Sequence, residues 1–320
     1  MIHTLEFTTS KDYYPINYSD YKFITNNFKP IKTKEDLIYI ANYNYFKFTY
    51  YKRYNILKTK VNLNKLLDKD TIAETDFNRA KYLINKNFYG LFHYTYLGDL
   101  SRIDYKADIK TPYKDLYIKL IKKGCAKYKA LKQYNNYSTS CYYNSASSNI
   151  NIYDKEEELI NNNKLEDIKK YEDIIRLEVQ IKNDKLYQLY KTQGVCRELI
   201  NYFTETDRNY FLNYYLRKII YNGDYYYYGS KETEQILSKK YKRPMYNKLV
   251  NFQKNISKLG ITKTRQLYNP STFNNYIKKL EAVNINPIPL PKNAPIKILK
   301  NPFTFTDENI YLLNDFKVVV

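Results

Sequence analysis

The chain has little of what several large classes of protein depend on. It has no tryptophan, three cysteines and two histidines in 320 residues. The cysteines, Cys125, Cys141 and Cys196, are odd in number and lack a metal-ligand spacing, so the sequence predicts reduced thiols rather than a disulfide framework. His3 and His93 are too far apart for a His-x-His or His-x-x-x-His pair. We interpret each histidine as a strand or turn residue rather than a metal ligand.

Long apolar runs are also missing. The sequence has no stretch of about 18 consecutive apolar residues and no apolar signal-peptide segment near its N-terminus. We therefore expect a soluble, unsecreted protein without a membrane partner.

Acidic residues are outnumbered by basic ones. The 53 Lys and Arg residues against 33 Asp and Glu residues give a formal net charge of +20. This charge does not select a fold, but it predicts attraction to polyanions, with nucleic acid the first candidate and an anionic membrane surface the second. The 40 tyrosines suit stacking on bases. An AT-rich genome also favours Tyr, Asn, Lys and Ile codons, and for the tyrosine excess alone we give that explanation more weight.

Three short segments alternate as β-strands that carry functional groups on one face. In residues 176–182 every second residue is apolar, and the positions between them are polar. These polar positions are Arg176, Glu178, Gln180 and Lys182. The same alternation places Arg102 with Asp104 in an earlier segment, and Tyr153 with Lys155 in the middle one. If the three strands share a sheet, two carboxylates, a phenol and several cations meet on its polar face.

The order of elements predicts an α+β fold. Strand-like runs occur at residues 2–8 and 44–59, and a strand, helix, strand, hairpin, helix and strand follow up to residue 182. This order indicates an antiparallel or mixed sheet backed by helices on one face, comparable with an RRM/ferredoxin-like nuclease core. We expect one domain, with the central sheet, over residues 1–184.

Beyond residue 184 the pattern becomes helical, which predicts a second domain over residues 185–286. A helix over residues 243–259, a turn at Gly260 and a helix capped by Ser271 have the order of a helix-turn-helix. The candidate DNA contacts of this motif are Arg265, Asn274, Asn275, Lys278 and Lys279. The proline-rich residues 287–320 are predicted to form an extended tail.

The carboxylates of the first and third strands suit a hard-metal site. Asp104 and Glu178, converging from separate strands, could bind Mg²⁺ or Mn²⁺, and the metal would polarise a phosphoryl oxygen. Tyr153 could attack phosphorus if the metal or Lys155 favours its phenolate, because an unperturbed tyrosine has a pKa of about 10. The predicted reaction is a transesterification that cuts DNA and keeps the bond energy in a phosphotyrosine.

A purely structural interpretation fits the same residues. Asp154 would cap a helix, and Tyr153 would be one of many strand aromatics. Arg102 with Asp104, and Arg176 with Glu178, would form cross-strand ion pairs on a solvated face. From pattern alone this interpretation is the more frequent one, because carboxylates on exposed strands are mostly inert.

The order of the three segments resembles a known family. The segments are Leu-Ser-Arg102-Ile-Asp104, Ile-Tyr153-Asp-Lys155-Glu-Glu-Glu-Leu and Ile-Ile-Arg176-Leu-Glu178-Val-Gln-Ile-Lys182. They are similar to motifs of the phage and plasmid replication proteins of the gene II/X family, typified by the filamentous-phage initiator. They are also similar to plasmid rolling-circle initiators of the replication-initiation-factor type. The similarity spans roughly residues 95–290.

The resemblance implies a rolling-circle replication initiator in the cytoplasm of a bacterial host. Such a protein nicks one strand at an origin, joins the 5′ phosphate through a tyrosine and later rejoins the strand. Its implied partners are single- and double-stranded origin DNA and a host helicase and polymerase. Residues 1–184 would be the nicking domain.

The resemblance also implies roles for individual residues. Tyr153 would be the nucleophile, and Arg102 would contact DNA. The implied phosphate-contacting cations are Lys155, Arg176 and Lys182. The implied metal ligands are Asp104 and Glu178 with Glu157 as the third, for which Asp154 and Asp108 are alternatives. Familiar initiators use a His-hydrophobe-His pair instead, which this chain lacks.

Other functions remain open at this stage. A non-enzymatic origin-binding protein would use the same basic surface to recruit host factors. A tyrosine recombinase fits less well, because its site is rich in Arg and His and the chain has two histidines. The nucleophile could also be Tyr142, Tyr143 or Tyr105 instead of Tyr153.

Overall fold

The structure combines one large antiparallel sheet with helices, which confirms the predicted α+β class. It is a computed structural model that describes residues 2–9, 18–34, 36–93, 98–124, 132–134, 138–163, 165–305 and 310–312. Within these ranges helices back the sheet, and the C-terminal part is mainly helical.

Ten strands of the described chain form the sheet. The first five are β1 (Ile2–Thr8), β2 (Lys29–Lys32), β3 (Leu37–Tyr43), β4 (Phe46–Tyr51) and β5 (Ile56–Asn62). The next five are β6 (Asp99–Lys110), β7 (Lys132–Tyr134), β8 (Ser140–Asn144), β9 (Ser148–Asp154) and β10 (Ile174–Lys182). Their spatial order is β2-β3-β4-β5-β1-β6-β10-β9-β8-β7, and every neighbouring pair is antiparallel.

The two groups of five strands share one topology. From the centre outward, the order is β1-β5-β4-β3-β2 on one side and β6-β10-β9-β8-β7 on the other. The pairs at the centre are Thr4 with Asp104, Leu5 with Ile103, and Glu6 with Arg102. This register has a pseudo-two-fold axis through the middle pair, normal to the sheet. Because such an axis keeps each face on its own side, the polar faces of the two halves are continuous.

The helices are distributed along the whole chain. They are α1 (Tyr18–Asn27), α2 (Leu63–Leu67), α3 (Phe77–Phe92), α4 (Lys114–Gly124), α5 (Lys155–Asn161), α6 (Asn183–Gln193), α7 (Glu205–Leu216), α8 (Lys231–Lys240), α9 (Arg243–Gln266) and α10 (Pro270–Glu281). Short 3₁₀ helices cover Lys52–Tyr54, Glu74–Asp76, Leu165–Tyr171 and Leu199–Tyr202. Small strand pairs join β11 (Tyr225–Tyr226) to β12 (Ile298–Leu299), and β13 (Phe303–Phe305) to β14 (Ile310–Leu312).

The apolar face of the sheet forms the core. Leu177, Val179 and Ile181 alternate along β10 and are fully buried, as their spacing predicts. Helices α6 and α7 pack on β6 and β10, and Tyr105 of β6 stacks on Phe211 of α7 with ring centroids 5.4 Å apart. Helices α6 and α7 therefore back the apolar face, and the polar side chains of these strands lie on the other side of the sheet.

The proline-rich segment differs from the predicted extended tail. Residues 285–290 are buried. The amide of Asn286 donates to the carbonyl of Asp224 at 2.8 Å, and that of Leu290 donates to Tyr226 at 2.9 Å. Backbone pairing to β11 and its flank thus fixes this segment against the helical part. Residues from 313 onward lie outside the described residues, as does Cys125.

The predicted helix-turn-helix region contains two helices, and the second is capped by a different residue from the one predicted. Helix α9 is broken at Gly260, where φ is 75° and ψ is 164°, and it continues to Gln266. Helix α10 begins at Pro270 and is capped by Asn269, whose side chain accepts the Thr272 amide at 2.8 Å. The cap is therefore not the predicted Ser271, because proline takes the first helical position and the residue before it becomes the cap.

Candidate functional site

The three strands predicted to carry functional groups are neighbours in the sheet. Strand β10 lies between β6 and β9. Its Arg176 lies opposite Asp108 on one side and Tyr153 on the other. Glu178 lies opposite Lys106 of β6. Cross-strand neighbours project to the same side of a sheet, so these groups share one polar face.

Tyr153 and Glu178 are joined by a hydrogen bond. The phenol of Tyr153 donates to Oε1 of Glu178 at 2.8 Å. Burial raises the pKa of the Tyr153 phenol, the charge of Glu178 raises it further, and Arg176 opposes both effects. The phenol therefore keeps its proton at neutral pH and points it at a carboxylate oxygen.

Glu178 is the proton acceptor of this pair. Burial raises its pKa, whereas the hydrogen bond from Tyr153 and the charge of Arg176 lower it. A carboxylate within hydrogen-bond reach of a hydroxyl has the geometry of a general base.

Arg176 is fixed by Asp108 rather than by Glu178, with which the structural interpretation paired it. Its guanidinium donates from Nε and Nη2 to the two carboxylate oxygens of Asp108, both at 2.7 Å. The guanidinium also lies over the ring of Tyr171, 5.3 Å from the centroid. Register explains the pairing, because Asp108 is the direct cross-strand neighbour of Arg176.

Arg102 and Asp104 form the ion pair that the structural interpretation predicted. Arg102 donates from Nε and Nη2 to the Asp104 oxygens at 2.8 and 2.6 Å. Burial raises the pKa of Asp104, and Arg102 counteracts this. Both oxygens of the predicted metal ligand are thus already bonded to a cation.

Lys155 lies in a helix rather than in the strand that carries Tyr153, although its charge still lowers the pKa of Glu178. Strand β9 ends at Asp154, whose side chain caps α5 by accepting the amides of Glu156 and Glu157 at 3.0 and 3.2 Å. Lys155 is therefore the first residue of a helix, and it forms an ion pair with Glu158. The direct partner of the Tyr153 phenol is Glu178 instead.

Lys182, the last predicted phosphate-contacting cation, lies at the end of β10. Its Nζ donates to the carbonyl of Ser145 at 2.7 Å. Ser145 lies in the loop between β8 and β9, so Lys182 fastens this loop to the sheet.

The donor set does not fit a divalent metal ion in this arrangement. Asp104 and Asp108 each give both oxygens to an arginine. Asp154 caps a helix, and Glu157 lies in the first turn of that helix rather than on the sheet. Among the residues that the structure describes, no group of three or more His, Cys, Asp or Glu side chains could hold a metal ion.

Two further residues of the polar face were not selected from the sequence. Burial lowers the pKa of His3 to about 3, and the charges of Lys106, Arg176 and Lys155 lower it too. Burial and the charge of Arg176 lower the pKa of Lys106 to about 8. Lys106 could have been found, since it continues the alternation from Arg102. His3 could not have been found in this way, because a register irregularity in β1 interrupts the alternation at this residue.

Tyr171 and Asp70 cover the polar face. The Tyr171 hydroxyl donates to Oδ1 of Asp70 at 3.0 Å, and Lys170 forms an ion pair with the same carboxylate. Lys106 donates from Nζ to the Asp70 carbonyl at 2.7 Å. With this cover in place, Tyr153 is only 9% exposed.

The alternative tyrosines occupy different environments. Tyr143 and Tyr105 are fully buried, and the Tyr105 hydroxyl donates to the carbonyl of Tyr202 at 2.8 Å. Tyr142 lies opposite Asn151, which places it on the polar face. Of these three tyrosines, only Tyr142 shares a face with Tyr153.

The predicted DNA contacts of α10 mostly face outward. Asn274, Asn275 and Lys278 are exposed. Lys279 lies over the Tyr241 ring at 5.3 Å, and Arg265 lies over the Phe273 ring at 5.8 Å. The apolar side of α10 is buried, as its periodicity predicts.

Comparisons with known proteins do not identify the chain. Neither the protein-family models nor the curated proteins include a match. Within the described residues no helix has the length and apolar character needed to cross a membrane.

Proposed function

We propose that the protein nicks and rejoins one strand of DNA through a 5′-phosphotyrosine, and that it initiates rolling-circle replication. The observation that carries the proposal is the 2.8 Å hydrogen bond from Tyr153 to Glu178, with Arg176 beside it. The net charge of +20 supports a polyanionic substrate. The RRM/ferredoxin-like core and the helix-turn-helix remain predictions within this proposal.

The pair supplies a nucleophile and its base. As the Tyr153 oxygen bonds to phosphorus, its proton passes to Glu178, and the bond from phosphorus to the 3′ oxygen breaks. The 5′ phosphate stays on Tyr153, and the 3′ oxygen takes a proton from water. Rejoining reverses these steps: the 3′ hydroxyl gives its proton back to water as its oxygen attacks phosphorus, the bond from phosphorus to the Tyr153 oxygen breaks, and Glu178 returns its proton to the leaving phenol.

Arg176 stabilises charge at the reacting phosphate. Its guanidinium is held by Asp108 on the same face as Tyr153. A fixed cation where negative charge develops lowers the barrier without reorganisation. Because Asp108 neutralises part of this charge, Arg176 acts mainly by its fixed position.

DNA must displace the cover to reach the nucleophile. The contact of Tyr171 with Asp70 is exposed to solvent, and exposed ion pairs contribute little stability. We therefore expect a phosphate to compete with Asp70 for Lys170 and to displace Tyr171 from its position over Arg176.

Covalent attachment tests the nucleophile. The protein is incubated with single-stranded oligonucleotides carrying a candidate origin, with Mn²⁺ in one arm and EDTA in the other. The DNA-linked peptide is then mapped by mass spectrometry. We expect an adduct at Tyr153, its loss in Tyr153→Phe, and its retention in the matched variant Tyr142→Phe. An adduct at another tyrosine, or one that survives in Tyr153→Phe, would overturn the assignment.

A second candidate is non-enzymatic origin binding, which the exposed polar side of α10 favours. On this hypothesis, Tyr153→Phe leaves replication of a reporter plasmid intact, while Asn274→Ala with Lys278→Ala abolishes it. On the leading proposal, Tyr153→Phe alone stops replication and duplex binding survives.

A further inference from the structure

We propose that the polar face of the first half of the sheet binds the phosphate backbone of the substrate DNA strand. Its three binding residues are Lys47, Lys58 and Lys60, which we call the lysine track. The identity of the strand rests on the proposed function. The binding itself rests on charge and geometry alone.

The pseudo-two-fold axis shows how the two halves differ. It relates β5 to β10 and β4 to β9, so Lys58 is equivalent to Glu178 and Tyr51 to Tyr153. The other track residues, Lys60 and Lys47, are equivalent to Gln180 and Asn149. At these three positions, the second half has acidic or neutral residues and the first half has lysines.

The lysine track places like charges side by side. Lys47 lies directly opposite Lys60 on the neighbouring strand. Like charges directly opposite each other destabilise a sheet. Burial lowers the pKa of Lys60, the charge of Arg102 lowers it further, and Lys47 adds to this effect. A bound phosphate would remove this repulsion, which an ordinary solvated face has no reason to retain.

Acidic neighbours do not neutralise the track. Glu6 approaches Lys58 at 4.0 Å, the limit of an ion pair, and the Lys58 side chain stays 41% exposed. Lys47 is exposed as well. Glu6 also lies directly opposite Lys60, and the charge of Asp104 acts on Lys60, but Asp104 is bonded to Arg102. Three lysines with Glu6 as their nearest unbridged carboxylate leave net positive charge on an accessible face.

The track leads to the candidate site. Strands β1, β6 and β10 separate β5 from β9, which is about 19 Å across the sheet at about 4.8 Å per strand. Lys60 is level with Arg102 and Tyr153 is level with Asp108, six residues further along β6, so the two residues are about 28 Å apart on the same face. The charges of Arg102 and Asp104 act on Lys60, which makes the polar surface electrostatically continuous. A single strand crossing this face would place one phosphate at Tyr153 and others on the lysine track.

DNA binding tests the track without cleavage. Lys47→Gln and Lys60→Gln are introduced, singly and together, into the chain that carries Tyr153→Phe. Fluorescence anisotropy then measures the binding of a labelled single-stranded oligonucleotide. The logarithm of the association constant falls with the logarithm of the salt concentration, and each lysine removed should make this negative slope shallower by about 0.7. This change corresponds to about fivefold weaker binding at about 0.1 M salt. Lys81→Gln is the matched control, because this exposed lysine is on α3, whose Phe88 packs on the opposite face at Phe48.

A second measurement separates binding from folding. Lys47→Gln should raise the thermal midpoint or leave it unchanged, because the repulsion with Lys60 is gone, while DNA binding weakens. Unchanged binding and salt slope in the double variant would overturn the proposal. A slope change with duplex DNA and none with the single strand would overturn the choice of occupant. If the wild-type protein formed no covalent adduct with DNA, the proposed function would be wrong, but the test of binding to the lysine track would be unaffected.

Discussion

Arg176 and Asp108 form a buried ion pair on the polar face. Their side chains are 4% and 8% exposed, and two parallel hydrogen bonds satisfy the guanidinium fork. Removing one partner of such a pair leaves a buried charge without compensation, whereas replacing both can be neutral.

We therefore expect Asp108→Ala to destabilise the fold by about 3–5 kcal/mol. Urea unfolding followed by circular dichroism measures the change. The double variant Asp108→Leu with Arg176→Met should recover most of the loss. A single variant as stable as the wild type would show that the pair is not desolvated in solution.

His3 gives the stability of the protein a pH dependence. Its pKa falls from 6.5 in the unfolded chain to about 3 in the folded one. Between these values the unfolded state binds more protons, so stability falls as the pH decreases through this window. His3→Gln should therefore shift the acid-unfolding midpoint to lower pH. An unchanged midpoint in a pH titration of tyrosine fluorescence would contradict this.

Alternation of the sequence predicts which side chains share a face, but not which of them bond. The shared face of Arg102 and Asp104 follows from period-two spacing alone. The bond from Tyr153 to Glu178 depends on the register between β9 and β10, which a single sequence does not encode locally. Lys155 lies in a helix rather than in the strand, because the strand ends one residue earlier than its alternation suggests.

At the scale of elements, α9 is divided by a backbone conformation that only glycine adopts easily. Gly260 has φ 75° and ψ 164°, and no atom lies within 4 Å of an added Cβ. The cost of a side chain here is therefore backbone strain rather than collision.

Gly260→Ala should destabilise the helical part by about 1–3 kcal/mol, since this region of φ/ψ space is strained for other residues. Gly194→Asn is the control, because its left-handed φ of 71° is one that asparagine tolerates. Thermal unfolding of both variants measures the difference. Equal midpoints for the two would contradict the strain argument.

Element boundaries follow from the sequence where capping chemistry is local. The Asp154 cap and the buried side of α10 were both predictable from short-range patterns. The segment at residues 285–290 was not, because its burial depends on backbone hydrogen bonds to residues about sixty positions earlier. Proline content alone predicts a linker, because the sequence does not show these long-range hydrogen-bond partners.

The charge of the whole molecule should make stability and DNA binding respond oppositely to salt. A net charge of +20 opposes the compact state through self-repulsion. Raising the salt from about 10 to about 150 mM shortens the Debye length from about 30 to about 8 Å. We expect a higher thermal midpoint by scanning fluorimetry and weaker oligonucleotide binding over the same range. A midpoint that falls with added salt would contradict the repulsion argument.

The ten-stranded sheet has a consequence for the history of the chain. Two five-strand units with the same order, joined at their first strands across Leu5 and Ile103, are what gene duplication and fusion of a symmetric ancestral dimer would leave. In such a dimer, both subunits would contribute the same interface strand. The two units differ in chemistry. Both have a tyrosine, at Tyr51 and Tyr153, but the second has a carboxylate, Glu178, at the position equivalent to Lys58 of the lysine track. On the proposals made above, a single ancestral surface would have become two, one that cuts a strand and one that holds it.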